Sequence, residues 1–343
     1  MTLKEIAALA GVNPSTVSRI INSPNNNFAT KELRDRVWAI IKETGYTPLP
    51  YARALGQRKA SGQPQEREAI VCILGRRVRS IDDNPFFAQV FRAAAQQALT
   101  MGYTLIDYCY HVDKAILDWD PQNREKRPLG AILLGRFDDA KAFEKLEAKY
   151  KNLVFVGRNV IDAGWDQVLY SGYEAAKLAM EYLILNGHRR IGYIGETDGE
   201  ARYHAYLDCV TVNGLGVNPK LITTCGHNSS EEGYEAAGAL LRKTEDLPTA
   251  ILCGSDVTAA AVIHRLYDAA IKIPAQISVM GMDNLEIAEE TSPMLTTISM
   301  PTAEMGHMAA QLLIGRINKL HTLPLKLFLP HSLVVRESVA NIN

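Results

Sequence analysis

The apolar positions follow two patterns, and the change between them falls near residue 69. Before it, apolar residues recur three and four apart, the period of a helix with one buried face. Leu3, Ile6, Ala7, Leu9 and Ala10 form the first such face, behind Thr2 and Glu5 in the spacing of a capping box. Gly11 supplies the stop, because the turn needs a residue tolerant of positive φ. Asn13 and Pro14 then open a second helix as cap and first residue, and 16–22 completes it. A third helix is predicted over about 30–43, with Thr30 as cap, Leu33, Val37, Ile40 and Ile41 turned inward, and Gly45 as its end. Two short helices joined by a Gly-containing turn are the helix-turn-helix pattern.

From residue 69 onward, apolar runs of strand length alternate with helical stretches. Strands are expected at 69–75, 103–109, 129–135, 153–157, 190–195, 221–225, 250–254 and 277–281. Helices are expected near 86–101, 139–151, 173–186, 200–213, 231–243, 256–270 and 304–319. The strand runs are continuously apolar rather than alternating, which points to buried parallel strands and an α/β, doubly wound class. So many strands fit two such sheets better than one. Ligands in open α/β sheets bind beyond the strand C-termini, which here means the cleft between the sheets.

Composition adds limits. A chain of 343 residues with 47% apolar and 22% charged residues is expected to form two or three domains. Five cysteines (Cys72, Cys109, Cys209, Cys225, Cys253) form no CxxC and suit buried thiols in a reducing cytoplasm. No apolar run approaches the roughly 18 residues of a membrane span, and the first residues lack a secretory apolar region. The expected location is therefore the cytoplasm. Charge is uneven: residues 1–60 carry nine Lys and Arg against four acids, and the remainder carries 28 against 34. A basic head on an acidic body suits an N-terminus that alone meets a polyanion.

Candidate chemistry follows the same division. The outer face of the second helix carries Ser15, Thr16, Ser18, Arg19 and Asn22. Short donors and one forked donor are what a helix in the major groove needs, although a generic three-helix bundle has the same amphipathic spacing. Residues 47–58 follow as a short helix-forming segment between domains, and 59–68 has the composition of a linker. In the core, Asp283 stands just after an apolar strand, placed to accept sugar hydroxyls. Asp256 follows another strand and either caps the next helix or meets ligand. Phe86 and Phe87 either stack on a pyranose ring or pack in the core. No GxGxxG opening a helix, GxxxxGK[ST], HExxH or GxSxG occurs, so an enzyme is not expected. Gly214–Pro219 resembles half a dinucleotide motif but leaves a helix instead of opening one. His264, His307 and His321 are isolated, so neither a metal nor a cofactor is expected. An exported sugar-binding protein would fit the core but would not carry 1–58.

Leu3-Lys4-Glu5-Ile6-Ala7, Ala10-Gly11-Val12-Asn13-Pro14-Ser15-Thr16-Val17-Ser18-Arg19-Ile20-Ile21-Asn22, Tyr46-Thr47-Pro48 and Ala52-Arg53-Ala54-Leu55 together resemble the headpiece of the LacI/GalR family of bacterial repressors. Core motifs stand in the family's order as well: Asn84-Pro85-Phe86-Phe87, Asn186-Gly187-His188-Arg189-Arg190-Ile191, Pro248-Thr249-Ala250-Ile251 and Leu295-Thr296-Thr297-Ile298. The resemblance implies a helix-turn-helix headpiece at 1–46, a hinge helix and linker at 47–66, and a periplasmic-binding-protein-like core at 67–343. It divides that core into an N-subdomain of about 67–165 and 300–324 and a C-subdomain of about 166–299 and 325–343. It further implies a homodimer on double-stranded operator DNA, controlled by a small effector such as a sugar.

Residue roles carry over by position. Pro14 and Ser15 match operator-selecting residues, Arg19 a base contact, and Thr2, Thr16, Ser18 and Arg34 phosphate contacts. Leu55 matches the wedge that bends DNA from the minor groove, with Leu3, Asn22, Tyr51 and Ala52 beside the DNA as well. Pro14 departs from the pattern, having no side-chain donor, which leaves Ser15 and Arg19 more of the selection. In the cleft the expected contacts are Phe86, Phe87, Arg158, Tyr203, His204, Asn228, Ser255, Asp283 and Met300. His204 stands where the family usually has a ligand-binding Arg, Arg202 matches a more structural Arg, and Gly157 stands where an Asp is frequent. The lost guanidinium implies a different effector or a remodelled grip. His188 is expected to be structural.

Overall fold

The computed structural model describes residues 3–14, 16, 17, 20, 29–44, 68–75, 84–108, 128–135, 137, 140–226, 230–244 and 246–343. The chain divides into two compact units, Met1–Arg67 with Thr100–Tyr103, and Glu68–Leu99 with Thr104–Asn343.

In the first unit a helix spans Leu3–Ala10 and another Lys31–Thr44, with residues 14, 16, 17 and 20 helical between them. Gly11 ends the first helix at φ +68, where its N–H donates to Ala8 and that of Val12 to Ala7. This paired closure is the αL termination the sequence implied. Thr30 caps the later helix by accepting from the Leu33 N–H at 3.3 Å. Ile6, Ala7, Ala10, Val17, Ile20, Val37 and Ile41 form the core, with Leu33 and Ile40 packed at its margin. Leu9, expected on the apolar face, is instead 58% exposed. It lies two positions past Ala7, about 200° around the helix, so the buried stripe holds residues 6, 7 and 10 and leaves 9 outside.

The second unit holds two six-stranded sheets. The first has the order β11 (Lys326–Phe328), β5 (Asp166–Leu169), β4 (Leu153–Gly157), β3 (Ala131–Leu134), β1 (Glu68–Leu74), β2 (Tyr103–Tyr108). The second has the order β12 (Ser332–Val334), β10 (Thr296–Ser299), β9 (Ser278–Asp283), β8 (Ala250–Cys253), β6 (Ile191–Gly195), β7 (Ile222–Thr224). Pairing is parallel in every described ladder except β10 with β12. The inner strands are almost fully buried, as continuously apolar runs require, while the edge strands β7, β11 and β12 are partly exposed. Separate cores form on the two sheets, one around Ile73, Leu133 and Phe155 and one around Ile251, Val262 and Val279.

The chain changes sheet three times, after β5, after β10 and after β11. The first and last changes follow Leu169 and Phe328, a few residues beyond the expected 165 and 324, because β5 and β11 pair with each other in the first sheet. β5 carries a buried Asp166, which accepts from Arg316 Nη2 at 2.6 Å, His321 Nε2 at 2.7 Å and the Leu325 N–H at 2.8 Å. Burial alone would raise this carboxyl, but those hydrogen bonds outweigh it and hold it below the ordinary Asp range. His188 is buried between Thr249 Oγ1 and the Ala340 carbonyl, the structural role expected of it. Cys72, Cys209, Cys225 and Cys253 are buried, and Cys109 lies outside the described residues. No described helix is long and apolar enough to cross a membrane.

Candidate functional site

Strand C-termini of both sheets meet around one cavity of about 490 Å³, a volume that includes open solvent at its mouth. The first sheet sends Arg158 from the end of β4 and Tyr170 from the end of β5. Asn84 and Pro85 start the helix Pro85–Thr100, and Phe86 and Phe87 project from its first turn onto the cavity wall. Asn84 is held in place by its own cap, its Oδ1 accepting from the Phe87 N–H at 3.2 Å. The two phenyl rings meet edge to face with centroids 5.3 Å apart, and Tyr170 lies 5.7 Å from Phe86. The second sheet supplies Arg202, Ser255, Val257, Asp283 and Leu285.

Electrostatics are concentrated at Glu200. It caps the helix Ala201–Val212 by accepting from the Arg202 N–H, and the same Oε1 takes Arg202 Nε at 2.8 Å. Its Oε2 lies 3.1 Å from Arg158 Nη1, so one buried carboxylate ties guanidiniums from the two sheets together. Burial pushes Glu200 up, yet the charges of Arg202 and Arg158 outweigh it and bring the carboxyl to about 2. Arg202 is 2% exposed and also donates Nη1 to the Gly254 carbonyl. Its Nη2 is buried without a hydrogen-bond partner among the described residues. An unmet buried donor on a charged group costs at least about 1–3 kcal/mol, so few folds retain one without a use for it.

Asp283 closes the opposite wall. Its backbone sits at φ +113 and that of Asn284 at φ +56, a strained pair at the end of β9. Strain of this kind costs of order 1–3 kcal/mol and gathers at binding sites. The Asp283 carboxyl takes no hydrogen bond from any described residue, and burial raises it to about 7 against the opposing charges of Arg202 and Arg158. Behind it, Asp256 is fully buried and accepts from the Leu285 N–H at 2.8 Å and from Thr297 Oγ1 at 2.6 Å. Burial and the nearby Asp283 raise Asp256 to about 8. Neither role expected of Asp256 is seen: Ser255 is the helix cap, and Asp256 pins the loop after β9. Gly281 makes room for this, since a Cβ there would collide with Asp256 Oδ1.

Of the expected effector contacts, Phe86, Phe87, Arg158, Ser255 and Asp283 line the cavity. His204 does not, and its side chain is exposed. The helix Ala201–Val212 buries Arg202, Ala205, Tyr206 and Cys209, and position 204 falls on the opposite face. Arg202, expected to be only structural, lines the cavity and restores the guanidinium thought missing. Tyr203 is outside the lining and packs on Tyr193 at 5.3 Å. Met300 is buried behind the site, its N–H 3.4 Å from the Asp283 carbonyl. Asn228 lies outside the described residues. Tyr170, Val257 and Leu285 were not anticipated, although each immediately follows a strand or its first loop residues, where sheet topology puts ligands. No cluster of potential metal ligands occurs among the described residues.

For the expected DNA contacts, Pro14 and Thr16 are helical and half-buried, and Arg34 is half-buried on the helix Lys31–Thr44. Leu3 begins its helix. Thr2, Ser15, Ser18, Arg19, Asn22, Tyr51, Ala52 and Leu55 lie outside the described residues.

Comparison with known proteins gives two family matches. Residues 2–48 match the model described as bacterial regulatory proteins, lacI family, and residues 180–339 match a periplasmic binding protein-like domain. An HTH-type transcriptional repressor PurR of Yersinia pestis is 31% identical over 99% of this chain and 97% of its own length. Among solved structures, the transcriptional regulator CelR in complex with cellobiose superimposes with TM-score 0.70 at 25% identity, covering 98% of this chain and 99% of CelR. The lac repressor dimer bound to operator and an anti-inducer gives TM-score 0.67 at 21% identity, covering 99% of each chain, a likeness of fold.

Proposed function

Because the chain belongs to the LacI family of bacterial regulatory proteins, we propose that its cleft takes a small hydroxylated effector of the sugar class, whose binding resets affinity for operator DNA. The chain is a DNA-binding transcriptional repressor, and its family consists of regulators rather than enzymes. The observation that carries the effector class is Asp283: a carboxyl with no hydrogen bond from a described residue, on strained backbone, facing a cavity edged by aromatic rings. Ionised, it accepts two hydroxyls at once, the usual protein grip on a polyol. The cellobiose complex of CelR supports the same class. The Arg158–Glu200 bridge spans the two sheets, so a ligand engaging Arg158 shifts one sheet against the other.

On the DNA side the chain acts as a cytoplasmic homodimer on a two-fold-symmetric operator. Ser15 and Arg19 read base edges, while Thr2, Thr16, Ser18 and Arg34 hold phosphates and fix the register. Leu3, Pro14, Asn22, Tyr51 and Ala52 pack along the grooves, and Leu55 enters the minor groove as a wedge. Counterion release makes operator affinity fall steeply with salt. In a gel-shift titration, raising salt from about 50 to about 200 mM is expected to weaken binding by roughly 10³-fold or more, given six or more phosphate contacts per dimer. A flat response overturns the phosphate assignments. Arg19→Ala is expected to relax preference at one base pair of each half-site by about 1–3 kcal/mol. Binding-site selection that returns the wild-type consensus at every position removes Arg19 from the reading of the operator.

A further inference from the structure

Among the described residues that line the cleft, two guanidiniums, Arg158 and Arg202, meet one carboxylate, Asp283. Arg202 lines the cavity from within the wall, buried, with no hydrogen-bond partner for Nη2 among the described residues. Arg158 reaches the same cavity from the other sheet, its side chain 25% exposed and its Nη1 engaged by Glu200. The Tyr170 hydroxyl, also on the wall, bonds to no described residue. Ser255 is occupied as a helix cap, which leaves Asp283 as the carboxylate acceptor among the described lining residues. Glu200 offsets one of the two guanidiniums, and burial keeps Asp283 from fully offsetting the second near neutral pH. A neutral ligand sealed into this space would leave a buried positive charge poorly compensated. A carboxylate or phosphate offsets the guanidinium charge and offers several oxygens to the donors that Glu200 and Gly254 leave free.

We infer that the effector is a hydroxylated anion, a sugar acid or sugar phosphate, its charged group held by Arg202 and Arg158 and its hydroxyls turned to Asp283. This rests on the cleft being the effector site. Glu200 has a positioning role, holding Arg202 Nε on one carboxylate oxygen and Arg158 Nη1 on the other. When the anion arrives it competes with Glu200 for Arg158, loosening the bridge between the sheets.

The test is a thermal-shift panel on the full chain, in matched sets: glucose, glucuronate, gluconate and glucose 6-phosphate; ribose and ribose 5-phosphate; galactose, galacturonate and galactose 1-phosphate. Each hit is then measured by calorimetry with wild type, Arg158→Gln, Arg202→Gln and Asp283→Asn. The expected result is an acid or phosphate binding at least tenfold tighter than its neutral parent, an advantage that disappears in Arg158→Gln. The partly exposed position of Arg158 keeps that variant informative if Arg202→Gln fails to fold. Preference between the acid and phosphate members of a set tells which anion the site takes. A neutral sugar binding as tightly as its anions, and weakened by Asp283→Asn, overturns the anion and leaves the cleft as effector site. No hit in the panel, or a hit unaffected by all three substitutions, overturns both.

Discussion

Glu200→Ala is expected to lower the unfolding free energy by about 3–5 kcal/mol, because it strands Arg202 as a buried charge without a carboxylate. Arg202 is 2% exposed and cannot turn to water, and the Gly254 carbonyl would remain its one side-chain acceptor among the described residues. The helix Ala201–Val212 loses its cap in the same substitution, a further cost of about 1 kcal/mol. Urea unfolding followed by circular dichroism measures the sum. The pH dependence separates this cause from a general packing defect. Glu200 is depressed from 4.5 to about 2, so the stability it contributes is complete above pH 4.5 and lost as pH falls through that window. In Glu200→Ala that part of the acid sensitivity disappears. A variant as stable as wild type, or one with unchanged acid sensitivity, contradicts the bridging role.

Asp283→Asn is expected to weaken effector binding by roughly 10- to 100-fold for each hydroxyl the carboxylate holds, from about 1.5–3 kcal/mol per charged hydrogen bond. The fold should survive, because the amide keeps the shape and the carboxyl supports no described hydrogen bond. Stability should in fact rise at neutral pH. Burial raises Asp283 from 3.8 to about 7, so the folded state holds a proton that the unfolded chain releases. Its contribution is therefore complete below pH 3.8 and lost as pH climbs through about 7. The amide that replaces the carboxyl cannot ionise, so the variant loses less stability across that range. Asp256, raised to about 8, continues the decline in both proteins. Calorimetric titration and thermal melts at about pH 5 and about pH 8 check the two effects separately. Unchanged affinity removes Asp283 from the grip.

Much of this was legible in periodicity. The seven core helices that were expected fall within two residues of their bounds, the four-residue helix Ile287–Glu290 was not anticipated, and the two-sheet class follows from continuous apolar runs. What escaped has physical causes. β5 was missed because Asp166 and Gln167 are polar, and their burial depends on partners outside the strand: Arg316 and His321 for one, Ile161 for the other. β10, β11 and β12 are three or four residues long and, unlike the equally short apolar β3 and β8, include Thr, Ser or Lys, so no apolar run marks them. Arg202 and His204 were assigned opposite roles by motif matching, although helical phase alone separates them. Arg202 shares a face with Ala205, Tyr206 and Cys209, so it points inward, and His204 cannot. The same test, applied to Leu9 against Ile6, Ala7 and Ala10, would have placed it outside. Asp283 could be placed at the cavity from sequence because the end of an apolar strand marks its position regardless of distant contacts.

The central claim is that occupancy of the cleft is linked to operator binding, and linkage has a direct measurement. Operator affinity of the full chain is determined by fluorescence anisotropy without and with a saturating ligand from the panel above, in wild type and in Asp283→Asn at the same ligand concentration. The account predicts a shift of about 5- to 150-fold in wild type, the usual range of allosteric coupling, and a much smaller one in the variant. An operator affinity that does not move when the cleft is shown calorimetrically to be filled would contradict it.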